Sequence, residues 1–369
     1  MNYFDYYVEE KRRNERDPEA IQGLCTDMCP ADEANLRIRE KMVHILEVSG
    51  SQRNLIKSFS RSAADAKMAV PKQLRPYPVL KQTVQYLLLD ILNRPNISSI
   101  ILYDFVNDRL RAVRQDMTIQ RLPPKECVVL LEPMIRFHVY YGYKLAEATK
   151  EFNSFLNKKY LLQCMNWYLS SCDKMDAEKP VSIDQLLGNM KNLQIDTPYK
   201  LVCDRILIES LYILYNLDNL HPLERYLSLP KVIKCHPALL LSYRIAIANL
   251  QGNFVKVTKL IQRLSPLAYF AVFIHLPNIQ KRGIRTMSAA YNNPRLTFPT
   301  DVLRRWLHVA SDADLALICK HYGLTIENEA VHFVRNQFND AKEMETASKN
   351  YMFDDTLDLK LEYILTYTS

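Results

Sequence analysis

The sequence predicts a mainly all-α protein: an α-helical repeat, or solenoid, followed by a C-terminal winged-helix domain. Glycine is scarce, with 7 residues in a chain of 369. Gly supplies the positive-φ corners of hairpins and the bare backbone that approaches phosphates, so a β-sandwich or a nucleotide-binding α/β fold would use more of it. Apolar residues recur at helical spacing from Val79 onward, and nothing between residues 79 and 291 sustains strand-like alternation. From residue 296 the pattern changes to helix, turn, helix and then short β-branched runs.

Taken in order, residues 1–21 are charged and aromatic and read as an N-terminal arm. Pro30 opens a helix with Asp32 and Glu33 in its first turn, where the macrodipole favours anions. That helix is expected to reach about Val48 and stop near Gly50. Ser51 to Pro78, broken by Pro71, Pro76 and Pro78, reads as an irregular wrap with one short helix. Helices are then expected over 79–93, 97–119, 125–149, 153–173, 182–191, 199–216, 236–250, 254–263 and 266–291. In the second of these, Leu102, Val106, Leu110, Val113 and Met117 form the apolar stripe, opposite Asp104, Asp108, Arg111 and Gln115. In 254–263, Val257, Leu260 and Ile261 face in while Lys256, Lys259 and Arg263 face out, after a Gly252-Asn253 corner. Sequential helix pairs with short loops favour a right-handed stack. Residues 22–295 are therefore assigned to one helical-repeat domain.

Residues 296–369 are assigned to the winged helix with an acidic tail. One helix starts near Pro299. A second follows Ser311-Asp312-Ala313-Asp314, which has the pattern of a capping box, and ends at Gly323. Short strands are expected at Leu324–Ile326 and Val331–Val334, and a late apolar stretch at Leu359–Tyr367. A helical solenoid capped by a winged helix is the PCI-type arrangement.

The net charge is +7, from 48 Lys and Arg against 41 Asp and Glu. Two stretches are acid-poor. Arg53 to Arg75 carries Arg53, Lys57, Arg61, Lys67, Lys72 and Arg75 against Asp65, and Lys281 to Arg305 carries six cations against Asp301. Such blocks are solvated faces or surfaces for an anionic partner. The scattered cysteines look like buried, reduced thiols, and the N-terminus lacks the order of a signal peptide. The longest uncharged apolar run, Leu264 to Leu276, contains Ser265, Pro266 and His275 and falls short of a membrane span. A soluble intracellular protein is expected.

Two motifs stand out. In Gly23-Leu24-Cys25-Thr26-Asp27-Met28-Cys29-Pro30, two thiols four residues apart could ligate zinc. A structural site needs four ligands, however, and His44 and Cys127 have no paired spacing. The alternative is that Cys25, Met28 and Cys29 pack an extended lead-in onto the helical body. The second motif, Tyr103 to Gln120, concentrates Asp108, Arg109, Arg111, Arg114, Gln115 and Asp116. Surface pairs contribute only about 0–1 kcal/mol, so this density points to salt bridging between helices ahead of nucleic-acid contact.

These two motifs, with Leu74-Arg75-Pro76, Val79-Leu80, Thr83 and Tyr86-Leu87 between them, resemble the SAC/GANP family in order and spacing. Arg136-Phe137-His138, Leu214-Tyr215-Asn216-Leu217, Gly252-Asn253-Phe254 and His321-Tyr322-Gly323-Leu324 add to the resemblance, which covers about residues 22–340. It marks Cys25, Asp27, Cys29, Pro30, Asp108, Arg109, Arg111, Arg114, Gln115 and Asp116 as family-motif residues. It implies assembly with a PCI-domain protein and a small acidic subunit in a hetero-oligomer. Large family members act in messenger-RNA export, with winged helices forming a joint nucleic-acid platform. Short members are associated with centrosomes and the spindle. The sequence shows no Phe-Gly repeats, RNA-recognition domain, acetyltransferase domain or long centrin-binding helix, so the short members are the nearer likeness and centrosome, spindle and cytoplasm the expected location, with the nucleus as alternative.

The candidates for contact with single-stranded RNA or other nucleic acid are Lys281, Arg282, Arg285, Arg304, Arg305, Lys320 and Arg335. The alternatives are a solvated basic face or a surface for the acidic subunit. No phosphate loop, dinucleotide fingerprint, nucleophile elbow or His-Glu-x-x-His motif is present. His138, His236, His275, His308 and His321 fall on separate helices, where a lone His is usually a satisfied core residue. No catalytic residue, cofactor or metal is assigned.

Overall fold

The structure, a computed structural model, describes residues 21–49, 52–60, 70–148, 150–178, 203–293 and 295–334, together with 338–342, 344, 347 and 364–365. The arm at 1–20, the expected helix at 182–191, Arg335 and most of the acidic tail lie outside the described residues. The described residues are predominantly helical, with a small three-stranded sheet near the C-terminal end. They divide into two compact units, one of residues 1–134 and 171–178, the other of 135–170 and 179–369. The second unit holds the winged helix together with helices that precede it.

In the first unit, α1 (Ala31–Arg39) starts on Pro30, with Asp32 and Glu33 in its first turn. It ends well short of Val48. Lys41 takes φ +55°, Met42 N–H donates to Arg37 O at 2.8 Å and Lys41 N–H to Ile38 O at 3.3 Å, a Schellman termination. The chain then makes a short 3-10 turn at Ile45–Glu47 and a small hairpin of β1 (Val48–Ser49) and β2 (Gln52–Arg53). The helix α2 (Tyr77–Gln85) runs on into a π-helical turn at Tyr86–Ile91. Next comes α3 (Ser99–Ile119), whose predicted apolar stripe is fully buried. The other side of α3 is not a free polar face, since Arg109, Gln115 and Asp116 are buried as well. Two long helices, α4 (Pro124–Lys144) and α5 (Ser154–Glu178), contribute residues to both units.

The second unit continues with α6 (Arg205–Tyr215), α7 (His221–Ser228), α8 (Lys231–Lys234), α9 (Pro237–Leu250), α10 (Phe254–Ile261), α11 (Pro266–Phe273) and α12 (Leu276–Ala290). The two short helices α7 and α8, which periodicity did not reveal, start at Pro222 and after Pro230. The expected single helix over 266–291 is two. Pro277 lacks the N–H that would carry the ladder through, so the chain breaks at Ile274-His275 and restarts. The helix α6 packs on α9 and α11, α9 on α10, and α10 on α12. The corner between α9 and α10 is the predicted one: Gly252 at φ +70° allows Asn253 N–H to reach Ala248 O at 3.0 Å, and the Asn253 side chain caps α10.

The winged helix is β3 (Thr297–Pro299), α13 (Thr300–Leu307), α14 (Asp312–His321), β4 (Thr325–Glu327) and β5 (Ala330–His332). The antiparallel sheet has the order β3-β5-β4, with Phe298 and Ile326 both opposite Val331. β3 was not anticipated, because three residues ending in Pro carry too little pattern. The N-cap of α14 is Ser311, whose Oγ accepts from Asp314 N–H at 3.1 Å. Gly323 at φ +84° closes its C-terminus. Asn328 and Glu329, both at positive φ, make the tight turn at the tip of the wing.

Candidate functional site

The first motif and the second meet in the core of the first unit. Gly23 N–H donates to Gln120 Oε1 at 2.8 Å, and Cys25 N–H to Leu74 O at 3.0 Å. A Cβ on Gly23 would lie 2.5 Å from Leu74 O, so only glycine permits this approach. Cys25 Sγ donates to Asp27 O at 3.2 Å, while the Asp27 side chain is exposed. Burial pushes the Cys25 thiol up and the Cys29 thiol up to about 12, so both are held as neutral, packed groups. Among the described residues no group of three or more His, Cys, Asp or Glu side chains is placed to hold a metal.

Two buried carboxylates organise the rest. Asp116, fully buried, accepts from Lys57 Nζ at 2.6 Å and Arg75 Nε at 2.7 Å. Lys57 Nζ also donates to Gln73 O at 2.7 Å, and Arg75 Nη1 to Met28 O at 3.3 Å. Glu47 accepts from Ile56 N–H at 3.0 Å, His44 N–H at 3.1 Å and Arg109 Nη2 at 3.4 Å, and pairs with Arg37. Burial alone would raise the Glu47 carboxyl. The Ile56 N–H, Arg109, Arg37 and the His44 N–H outweigh it and hold the group below its ordinary value.

The remaining motif residues grip the neighbouring chain. Asp108 Oδ2 accepts from Phe59 N–H at 3.2 Å, and Gln115 Nε2 donates to Ser60 O at 3.2 Å. The guanidinium of Arg111 lies 3.7 Å from the Phe59 ring centroid, and that of Arg109 4.5 Å from Phe105. Arg114 is half-buried on the same helix. Lys57 and Arg75, read in the sequence as part of a stretch open to an anionic partner, are internal counter-ions of Asp116. Each directly follows a core residue, Ile56 or Leu74.

In the second unit the winged helix hangs on three side chains from the helices before it. Thr258 Oγ1 donates to Trp306 O at 3.0 Å, Gln280 Nε2 to Leu307 O at 3.1 Å, and Tyr269 Oη meets His308 Nε2 at 3.1 Å. The first two satisfy carbonyls at the end of α13 that the helix itself leaves open. Burial lowers the His308 ring below its ordinary value.

The cations nominated for nucleic acid are largely engaged. Lys281 is buried and lies 3.8 Å from Asp340, Arg285 pairs with the same carboxylate, and Arg282 donates to Asn249. Arg304 lies 3.0 Å from Asp312, and Arg305 donates to Asp301 at 3.0 Å. Lys320 is exposed and has no ion pair among the described residues. The outer face of α14 carries exposed Ala313, Ala316 and Leu317, the last 65% exposed, and Glu327 and Glu329 stand at the exposed tip of the wing. No helix among the described residues is long and apolar enough to cross a membrane.

A helical stack carrying a winged helix, with its motif charges joining chain segments, defines a scaffold-type α-helical protein. The family profile described as SAC3/GANP matches residues 28–328, and the chain belongs to that family. Similar proteins include SAC3 family protein B of Arabidopsis thaliana, 26% identical over 88% of this chain, and Protein xmas of Drosophila melanogaster, 26% identical over 87%. SAC3 family protein 1 of Schizosaccharomyces pombe is 25% identical over 87%. The chain spans 19%, 15% and 32% of the lengths of these relatives respectively.

Proposed function

We propose that the chain is a non-enzymatic assembly scaffold whose winged helix docks a PCI-domain partner, within a hetero-oligomer that includes a small acidic subunit. The observation that carries the docking surface is the outer face of α14: Leu317 stands exposed beside Ala313 and Ala316, with Lys320 the single lysine or arginine on the helix, where one reading nucleic acid would carry several. Arg304 and Arg305 beside it are paired with carboxylates, and the acidic wing tip would repel phosphates. An exposed leucine on a flat alanine face suits a protein partner.

The cellular setting we propose is the centrosome and spindle, as the resemblance to short family members implies. Messenger-RNA export, with RNA held at the winged helix, is the second reading, and it rests on the resemblance to the large members. Affinity purification of the tagged chain, with Leu317→Glu beside the wild type, tests the assembly. Recovery of a PCI-domain protein with the wild type and its loss with the variant is expected. Equal recovery with both overturns the docking face, and recovery with neither overturns the assembly. Signal at the spindle poles is expected from the same tag. Signal at the nuclear rim, with single-stranded RNA binding that weakens across a salt series, replaces the first setting with the second.

A further inference from the structure

Basic residues without ion pairs also lie away from the winged helix. From Arg225 to Thr300 the chain contains no Asp or Glu at all. The cations at the C-terminal end of that stretch are engaged, as Lys281, Arg282 and Arg285 show. On α10 and the turn after it they are not. Lys256, Lys259 and Arg263 are exposed and form no ion pair with any described residue. Lys256 and Lys259, three apart on α10, share one face, and Arg263 follows in the turn that ends the helix. Half-buried Leu260 sits on that face, and Leu250 stands 47% exposed at the preceding turn. Complementing the C-terminal helix dipole accounts for Lys259 and Arg263. It does not account for Lys256, or for a stretch this long that supplies no acid of its own.

We propose that this surface, formed by Lys256 and Lys259 on α10 and Arg263 in the turn after it, with Leu260 among them, docks an acidic peptide segment of a partner protein. The same stretch already shows the chemistry once, where the Asp340 carboxylate lies on Arg285, 3.1 Å from Nε, and 3.8 Å from Lys281 Nζ. A nucleic acid fits the face less well. Single strands bind through stacked bases, and the one aromatic residue on α10, Phe254, is buried. Apolar footing beside unpaired ammonium groups suits carboxylates interspersed with leucines, and the attraction is screened by salt. The surface stands on charge and exposure alone and does not require the PCI-domain pairing.

The test is fluorescence anisotropy of the full chain with a fluorescein-labelled peptide of mixed Asp and Glu carrying interspersed leucines, at about 50 mM salt. The variant K256E/K259E/R263E is compared with K72E/K125E/K158E, which makes the same charge change at exposed positions elsewhere, and circular dichroism checks that both fold. The first variant is expected to weaken binding by about tenfold or more, and the second by less than about twofold. Equal weakening by both reduces the effect to net charge and overturns the site, as does no binding by the wild type. A single-stranded RNA that binds more tightly than the peptide, and is lost with the α10 variant, overturns the acidic peptide in favour of nucleic acid.

Discussion

Replacing Asp116 by Asn removes a charge and little volume. Lys57 and Arg75, both almost fully out of solvent, lose the carboxylate they share at 2.6 and 2.7 Å. Breaking one partner of a buried ion pair costs about 3–5 kcal/mol, because the remaining charge is left uncompensated. Two cations are stranded here, so the upper half of that range is expected. The loss falls on the joint between the 23–30 lead-in, the 71–75 segment and α3. Both tryptophans, Trp167 and Trp306, belong to the second unit, so intrinsic fluorescence would miss it. Hydrogen exchange of the α3 amides reads it directly, as protection lost by several powers of ten. The double variant Lys57→Met/Asp116→Asn, with one stranded cation removed, recovers part of the loss. The exposed Asp27→Asn in the same family motif changes stability by less than about 0.5 kcal/mol. A loss of under about 1 kcal/mol for Asp116→Asn would refute the reasoning, because the pair would then be behaving like one in water.

Four further outcomes are expected. Gly23→Ala places a Cβ against Leu74 backbone and destabilises the first unit by about 1–3 kcal/mol, measured by the same exchange experiment. Thr258→Val with Gln280→Met leaves the Trp306 and Leu307 carbonyls without partners; a loss of about 1–3 kcal/mol per orphaned carbonyl appears as a red-shifted Trp306 emission and lower exchange protection in α13. Asp218, hydrogen-bonded to His275 and with its carboxyl lowered to about 2 from an ordinary 3.8, contributes stability that is present above about pH 4 and lost as pH falls through about 2. His275→Gln flattens that acid limb in urea unfolding, and an unchanged slope would count against the pairing. Among the eight cysteines, exposed Cys235 alkylates first at pH 8, while Cys29 and Cys319, pushed up to about 12 by burial, react only on unfolding, which mass spectrometry resolves.

Local chemistry made much of the fold legible. Pro30, Ser311, Gly252 and Gly323 mark helix ends because capping depends on residues within one turn. The stripe Leu102–Met117 marks α3 because burial on one side leaves a helical period. What lacked such a signal was missed: α7 and α8 are too short for a period, and α1 is closed by left-handed Lys41, where no glycine marks the stop, instead of near Gly50.

Partnership was not legible at all. Lys57, Arg75, Arg285 and Lys256 are alike as letters, and charge acts through space without regard to position in the chain. By itself the sequence determined a helical protein with a winged helix and the two motifs of its family, because periodicity, capping and motif spacing are local. Only the tertiary structure decided that Lys57 and Arg75 neutralise Asp116, that Arg304 and Arg305 are paired, and that the outer face of α10 keeps its cations open to solvent. Those outcomes depend on which carboxylate lies within a few ångströms, and packing sets that distance.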